Sequence, residues 1–222
     1  IGSSTYLRSA ALSGRNLLGT PLTSAKLNNA DLSGATLTNC DISGAVLTGA
    51  TLTNVISGGV TGAATATLPA GYFALNGYLL GPGTSLRGAN LSNLDFTGAD
   101  LTNMDMSGAN LTNAIFTNAT LTGAILTNAT LTNIVSGGIT GTTGTVTLKT
   151  GYVIQNGYIV GPGVNLRGAA LSSSNLTGVS IAGADISGAV FTGATFTSVA
   201  SGAVSGATYA TLPSGYSTYN GY

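Results

Sequence analysis

The chain has 222 residues and a formal net charge of zero, with six Lys or Arg against six acids, and only 5% of its residues are charged. Zero net charge excludes the basic field of a nucleic-acid binder and the acidic field of a DNA mimic. No apolar run is long enough for a membrane-crossing helix, so no membrane insertion is expected, and 43% apolar residues at regular spacing argue for a packed core rather than disorder.

The first block spans 7–54. A large apolar residue recurs every fifth position from Leu7 through Leu12, Leu32 and Ile42 to Leu52. A spacer follows over 55–85. Within it Asn76-Gly77 lies between apolar runs, which predicts a hairpin with strands Tyr72–Leu75 and Tyr78–Leu80. The five-residue series resumes over 86–133, through Phe96, Met106 and Phe116. A second spacer, 134–165, repeats the first: Leu148-Lys149-Thr150-Gly151-Tyr152 matches Leu68-Pro69-Ala70-Gly71-Tyr72, and strands are predicted at Tyr152–Gln155 and Tyr158–Val160. The third block covers 166–198. A third spacer, 199–222, opens the same way with Leu212-Pro213-Ser214-Gly215-Tyr216 and reaches Asn220-Gly221-Tyr222.

All 27 block centres are Leu, Ile, Phe or Met, and Ala fills 17 of the 27 positions two before them. Ser or Thr follows most centres, and Gly or Asn comes next; these are residues that suit turns needing φ > 0. A period of five fits neither a helix nor a plain strand. It requires a chain that turns in every repeat, pointing one large and one small side chain inward, with coils stacked about 4.8 Å apart.

Runs such as Ala30-Asp31-Leu32-Ser33-Gly34, Ala99-Asp100-Leu101-Thr102-Asn103 and Ala109-Asn110-Leu111-Thr112-Asn113 resemble the pentapeptide-repeat family, whose motif is A(D/N)LXX. The resemblance covers about three-fifths of the chain. It implies an all-β fold, a right-handed quadrilateral β-helix with four pentapeptides per coil, here continuous over 1–222 with hairpin-like spacers between three blocks. Arg15 departs from the motif by occupying a small inward slot. Gyrase-protecting members of the family mimic DNA with an acidic face, which a neutral chain does not offer.

Ile1-Gly2-Ser3-Ser4-Thr5-Tyr6-Leu7-Arg8 lines up with Leu80-Gly81-Pro82-Gly83-Thr84-Ser85-Leu86-Arg87, and Tyr222 is the counterpart of Tyr78. Two copies set end to end would therefore rebuild an internal spacer, with Ile1, Tyr6, Leu7 and Arg8 of one facing Tyr216, Tyr219 and Tyr222 of the other. Such a heterologous contact propagates as a filament unless it closes. The expected function is structural: a homopolymer subunit of an extracellular or cell-surface fibre, a compartment suggested by the Thr-, Ser- and Asn-rich, weakly charged surface. Two alternatives stand beside it. One is a surface-binding module whose Tyr72, Tyr78, Tyr152, Tyr158 and Tyr216 stack on glycans; the other is a segment of a longer tandem-repeat protein.

Catalysis is not expected. With no His and no Glu, the chain lacks the usual bases and metal ligands. The six Asp residues (Asp31, Asp41, Asp95, Asp100, Asp105 and Asp185) all precede a centre. The positions one full coil after Asp31 and Asp95 hold Thr51 and Ile115, so no stacked carboxylate pair forms. Cys40 takes a small inward slot and reads as packing. Arg8, Arg87 and Arg167 open the three blocks and are expected to hydrogen-bond spacer carbonyls. No cofactor and no metal are expected.

Overall fold

The computed structural model describes residues 4–142 and 144–218. These form two units, one of residues 4–87 and 100–106, the other of 88–99, 107–142 and 144–218. Both are built on the same rule. In 25 of the 27 repeats the carbonyl of the centre accepts from the N–H three positions on, as in Ala35 to Leu32 (2.9 Å) and Ala114 to Leu111 (2.9 Å). The residue two after the centre sits in the left-handed region, Gly34 at φ 67° and Asn113 at φ 60°. That single requirement explains why Gly and Asn share the slot: Gly has no Cβ to clash, and Asn tolerates the conformation best among the others.

Successive coils pair in parallel, the residue before a centre bridging its counterpart four repeats further on. In the first unit one face carries the bridges Tyr6–Lys26 and Lys26–Val46, and the next carries Ala11–Asp31 and Asp31–Thr51. In the second unit Asn90–Asn110 and Asn110–Thr130 form one such column, and Asp95–Ile115 and Ile115–Val135 form another. The four-sided coil implied by the motif is therefore present. Alternate residues on each short strand face inward, so the interior is a stack of Leu, Ile and Phe against Ala. Twenty-five of the 27 centres are buried; the two that are not are Leu7 and Phe196.

Polar groups on the outside brace the turns. Asp31 Oδ1 accepts from Ser33 N–H (2.9 Å), and Asp95 Oδ1 accepts from Thr97 N–H (2.9 Å). Asn93, Asn113 and Asn133 form a ladder in which Asn113 Nδ2 donates to Asn93 Oδ1 (2.9 Å) and Asn133 Nδ2 to Asn113 Oδ1 (2.8 Å). Each Asn thus holds its own left-handed turn and ties it to a neighbour.

The two internal spacers form the predicted hairpins. β1 (Phe73–Leu75) pairs antiparallel with β2 (Tyr78–Leu80), and β3 (Val153–Gln155) pairs with β4 (Tyr158–Val160). Each hairpin lies against the coil before it. Gly77 O accepts from Val60 N–H (2.9 Å), and Gly157 O accepts from Ile139 N–H (3.2 Å). Short 3-10 turns at Ala63–Thr65 and Ala207–Tyr209 complete the first and third spacers.

Candidate assembly interface

Each internal spacer interrupts the sequence but not the ladder. Ile56 bridges Ser85 across the first spacer, and Val135 bridges Asn165 across the second. The groups that make the joint are the same in both. Asn54 N–H donates to Gly83 O (2.6 Å) and Ser85 N–H to Val55 O (3.0 Å); Asn133 N–H donates to Gly163 O (2.6 Å) and Asn165 N–H to Ile134 O (3.0 Å). Over each joint the hairpin's second strand delivers two apolar side chains to the core, Leu79 and Leu80 in one case and Ile159 and Val160 in the other, all fully buried. A serine at the top of the coil receives that strand: Ser57 Oγ accepts from Leu79 N–H and Ser136 Oγ from Ile159 N–H, both at 2.9 Å. The strand's exit is clamped by tyrosine, with Tyr72 and Tyr152 hydroxyls donating to the Pro82 and Pro162 carbonyls (2.8 and 2.9 Å).

The third spacer holds groups equivalent to the first half of each joint. Ser198 and Val199 correspond to Asn54 and Val55, Ser201 to Ser57, and Tyr216 to Tyr72. Among the described residues, nothing accepts from Ser198 N–H and nothing donates to the Val199 carbonyl. Tyr216 makes the same turn as its counterparts, donating its N–H to Pro213 O (3.2 Å), yet its side chain is 51% exposed. It packs edge-on against Phe196, with ring centroids 5.3 Å apart. Between them opens a cleft of about 340 Å³, counting the part open to solvent, lined by Ile181, Ile186, Phe196, Ser201, Val204 and Tyr216 among others.

The coil containing Tyr6, Leu7 and Arg8 holds groups equivalent to the second half of each joint. Ser4 N–H donates to Thr23 O (2.7 Å) and Leu7 N–H to Lys26 O (2.8 Å), as Gly83 does to Thr102 and Leu86 to Asp105. On the opposite edge Ser85 N–H is held by Val55, but Tyr6 N–H meets no acceptor among the described residues. The Tyr6 side chain is 79% exposed and Leu7 only half-buried. Ile1, Tyr219 and Tyr222 lie outside the described residues.

Other sequence expectations are corrected or placed by the structure. Arg87 and Arg167 do not bind spacer carbonyls: Arg87 Nη1 pairs with Asp105 Oδ2 (2.9 Å) and Arg167 Nη1 with Asp185 Oδ2 (3.4 Å). The signal was present in the spacing, since each Asp follows its Arg by two positions short of a full coil, which keeps both charges on one face. At Arg8 the same offset gives Lys26, so the pair has no equivalent there. The five tyrosines do not form an exposed series, because Tyr72, Tyr78, Tyr152 and Tyr158 are half-buried in their spacers and Tyr216 alone is exposed. The carboxylates behave as the spacing predicts, with Asp31 bridged to Thr51 and Asp95 to Ile115. Hydrogen bonds from Ser33, Ser43 and Thr97 hold Asp31, Asp41 and Asp95 below the usual carboxylate range. At Asp185 burial pushes upward, but Ser187 and Arg167 outweigh it and the net shift is down. Cys40 is fully buried, its Sγ donates to Leu17 O (2.9 Å), and burial raises its pKa. No three His, Cys or acidic side chains gather into a metal-binding group among the described residues.

The repeat itself now decides the family. The model of pentapeptide repeats matches residues 5–40, 16–54, 82–103, 95–133 and 163–197, well over half of the chain. The chain belongs to the pentapeptide-repeat family. Members fold as right-handed quadrilateral β-helices, and this is the fold of the coils described above. No curated protein matches the chain. Among solved structures, this pentapeptide-repeat protein is similar to HetL of the cyanobacterium Nostoc sp. strain PCC 7120, a protein involved in heterocyst differentiation regulation. Identity is 20%, over 97% of this chain and 92% of that one, with a TM-score of 0.43. It is also similar to Rfr23 of the cyanobacterium Cyanothece 51142, at 22% identity over 66% of this chain and 89% of that one, TM-score 0.25. Full-length QnrB1, a plasmid-mediated fluoroquinolone resistance protein, matches at 12% identity over 91% and 89%, TM-score 0.26.

Proposed function

We propose that this pentapeptide-repeat protein is a structural subunit that joins end to end with further copies of itself into a fibre outside the cell. One observation carries the reading. The groups that close both internal joints recur at 198–201 and, for the matching edge, at 4–6. Ser198 N–H is a donor without an acceptor and Val199 a carbonyl without a donor among the described residues, while Tyr6 offers an N–H on the matching edge. Strand addition across such an edge gains main-chain hydrogen bonds and buries the exposed apolar layer. In the joint, Ala200 of one copy would bridge Tyr6 of the next, as Ile56 bridges Ser85. The surface suits the role: it is neutral and built of Thr, Ser and Asn, so neighbouring copies meet without charge repulsion.

Electron microscopy of the concentrated chain, with Tyr6→Pro beside it, tests the proposal. Proline deletes the one N–H at issue, and Pro21, which bridges Asp41 from the equivalent slot of another face, shows that the coil accommodates it. Filaments from the native chain and isolated particles from Tyr6→Pro are expected. Isolated particles from the native chain, or filaments unaffected by Tyr6→Pro, would refute it.

A further inference from the structure

The two internal hairpins turn through the same dipeptide, Asn76-Gly77 and Asn156-Gly157. Their backbones match closely. The asparagines take φ 49° and 48°, and the glycines φ 78° and 79°. A Cβ on either glycine would lie 3.1 Å from the backbone nitrogen of the coil beneath, that of Gly59 or of Gly138. Both asparagines are exposed. Their side chains differ. Asn156 Nδ2 donates to Ala170 O (3.2 Å) and to Ser172 O (3.0 Å), which ties its turn to the third block. The Asn76 amide makes no hydrogen bond among the described residues.

We propose that Asn76 is a site of spontaneous covalent modification, where the chain converts its own asparagine to aspartate and isoaspartate, and that Asn156 is the same site restrained. The nucleophile is the glycine nitrogen. Among the described residues nothing accepts from Gly77 N–H or Gly157 N–H, and glycine has no side chain to hinder approach to the asparagine Cγ. Gly77 N bonds Asn76 Cγ while the Cγ–Nδ2 bond breaks, and Nδ2 leaves as ammonia with the proton that Gly77 N gave up. Water then opens the five-membered imide. Cleavage between Gly77 N and Cγ leaves aspartate; cleavage between Gly77 N and the Asn76 backbone carbonyl carbon leaves isoaspartate, with the chain routed through Cγ. Each product carries a new carboxylate, and water is the only co-reactant. Closing the ring rotates the Asn-Gly peptide out of the hairpin turn, so reaction waits on local opening. Opening at 156 must first break both bonds of the Asn156 amide, whereas opening at 76 breaks none from its side chain. Isoaspartate also adds a backbone atom to a two-residue turn whose Gly77 carbonyl seats the hairpin on Val60 N–H (2.9 Å), so conversion loosens β2 on its coil.

The test ages the full chain at neutral pH, natively and in urea. Peptide mass spectrometry with fragmentation follows the amide-to-acid mass gain at 76 and 156. In urea the two sites are expected to convert at the same rate, because the dipeptide is the same. In the native chain Asn76 is expected to convert roughly tenfold faster than Asn156, the factor that two modest hydrogen bonds contribute. Amide hydrogen exchange in the converted chain is expected to rise at Leu79, whose N–H is held by Ser57 Oγ (2.9 Å), and to stay unchanged at Ile159. Equal native rates, a faster rate at Asn156, or no native conversion of Asn76 over a period that converts it in urea would overturn the site. Unchanged exchange at Leu79 after conversion would overturn its coupling to the seat of the hairpin. Neither result depends on whether copies of the chain join.

Discussion

Leu111→Ala is the perturbation that tests the stacked interior most directly. Leu111 is fully buried, with Leu91 and Leu131 below and above it in the same column, both at most 1% exposed. The flanking coils are held by the ladder: Leu91 N–H donates to Asn110 O (2.8 Å) and Leu111 N–H to Thr130 O (2.9 Å). Backbone spacing fixed by those bonds keeps the neighbouring leucines from moving in to fill the space. The cost should therefore fall in the upper part of the range for buried Leu→Ala, about 3–5 kcal/mol. At about 2–4 °C per kcal/mol for a chain of this size, the thermal midpoint drops by roughly 6–20 °C. Thr112→Ala on the outside of the same coil removes one exposed hydroxyl, which bonds Asn110 Oδ1 (2.7 Å), and should cost about 0.5 kcal/mol. Urea unfolding monitored by circular dichroism gives both values. A Leu111→Ala cost below about 1 kcal/mol, or one equal to Thr112→Ala, would mean that the centre does not sit in a packed layer, and the stacked-coil account would fall.

Gly161→Ala places a Cβ against the Tyr152 ring, which is anchored by its hydroxyl to the Pro162 carbonyl, and should destabilise the chain by about 1–3 kcal/mol in the same urea assay. Because Asp31, Asp41 and Asp95 have depressed folded-state pKa values, their contribution to stability is complete above the unfolded value near 3.9 and is lost as pH falls below it. With no His to titrate, thermal midpoints should be flat between about pH 5 and pH 8 and decline below about pH 4; a midpoint falling between pH 7 and pH 5 would contradict this. Cys40, buried and with its pKa raised, should resist iodoacetamide at neutral pH in the native chain and react fully in denaturant, as mass spectrometry will read.

The coils were legible in the sequence because each repeat solves one local problem with a fixed set of residues. A large inward group, a small one two places earlier and a left-handed turn two places later are chemical demands that a five-residue pattern states openly. Leu111, Ala109 and Asn113 are one instance, and all three stand where the pattern puts them. The spacer hairpins were visible through Asn76-Gly77 and Asn156-Gly157, whose asparagines take φ 49° and 48°. What the pattern did not disclose was how a spacer packs on its coil. That Tyr72 and Tyr152 turn inward to meet a proline carbonyl depends on where the chain comes back after the hairpin, which no local preference encodes. The serines at 57 and 136 went unnoticed for the same reason, since Ser-Gly-Gly after a block reads as a loop until a strand N–H is found above it. The Arg87–Asp105 pair was encoded, but only in the frame of a four-repeat coil.

The joints show why covalent continuity is not what holds coils together. Ile56 and Ser85 are bonded neighbours with an entire spacer looped out between them, and the bonds that join them involve only groups at 54–56 and 83–85. Removing the connection would cost the entropy of bringing two free ends together, yet every hydrogen bond and apolar contact of the joint would remain available. A coil edge therefore recognises the next coil by its backbone groups and inward side chains, whichever chain supplies them. In the end-to-end reading proposed above, Ser198, Val199 and Ser201 present that edge, and Tyr6 and Leu7 present its complement. The energetic difference between folding past a spacer and associating across one is then the entropy of association.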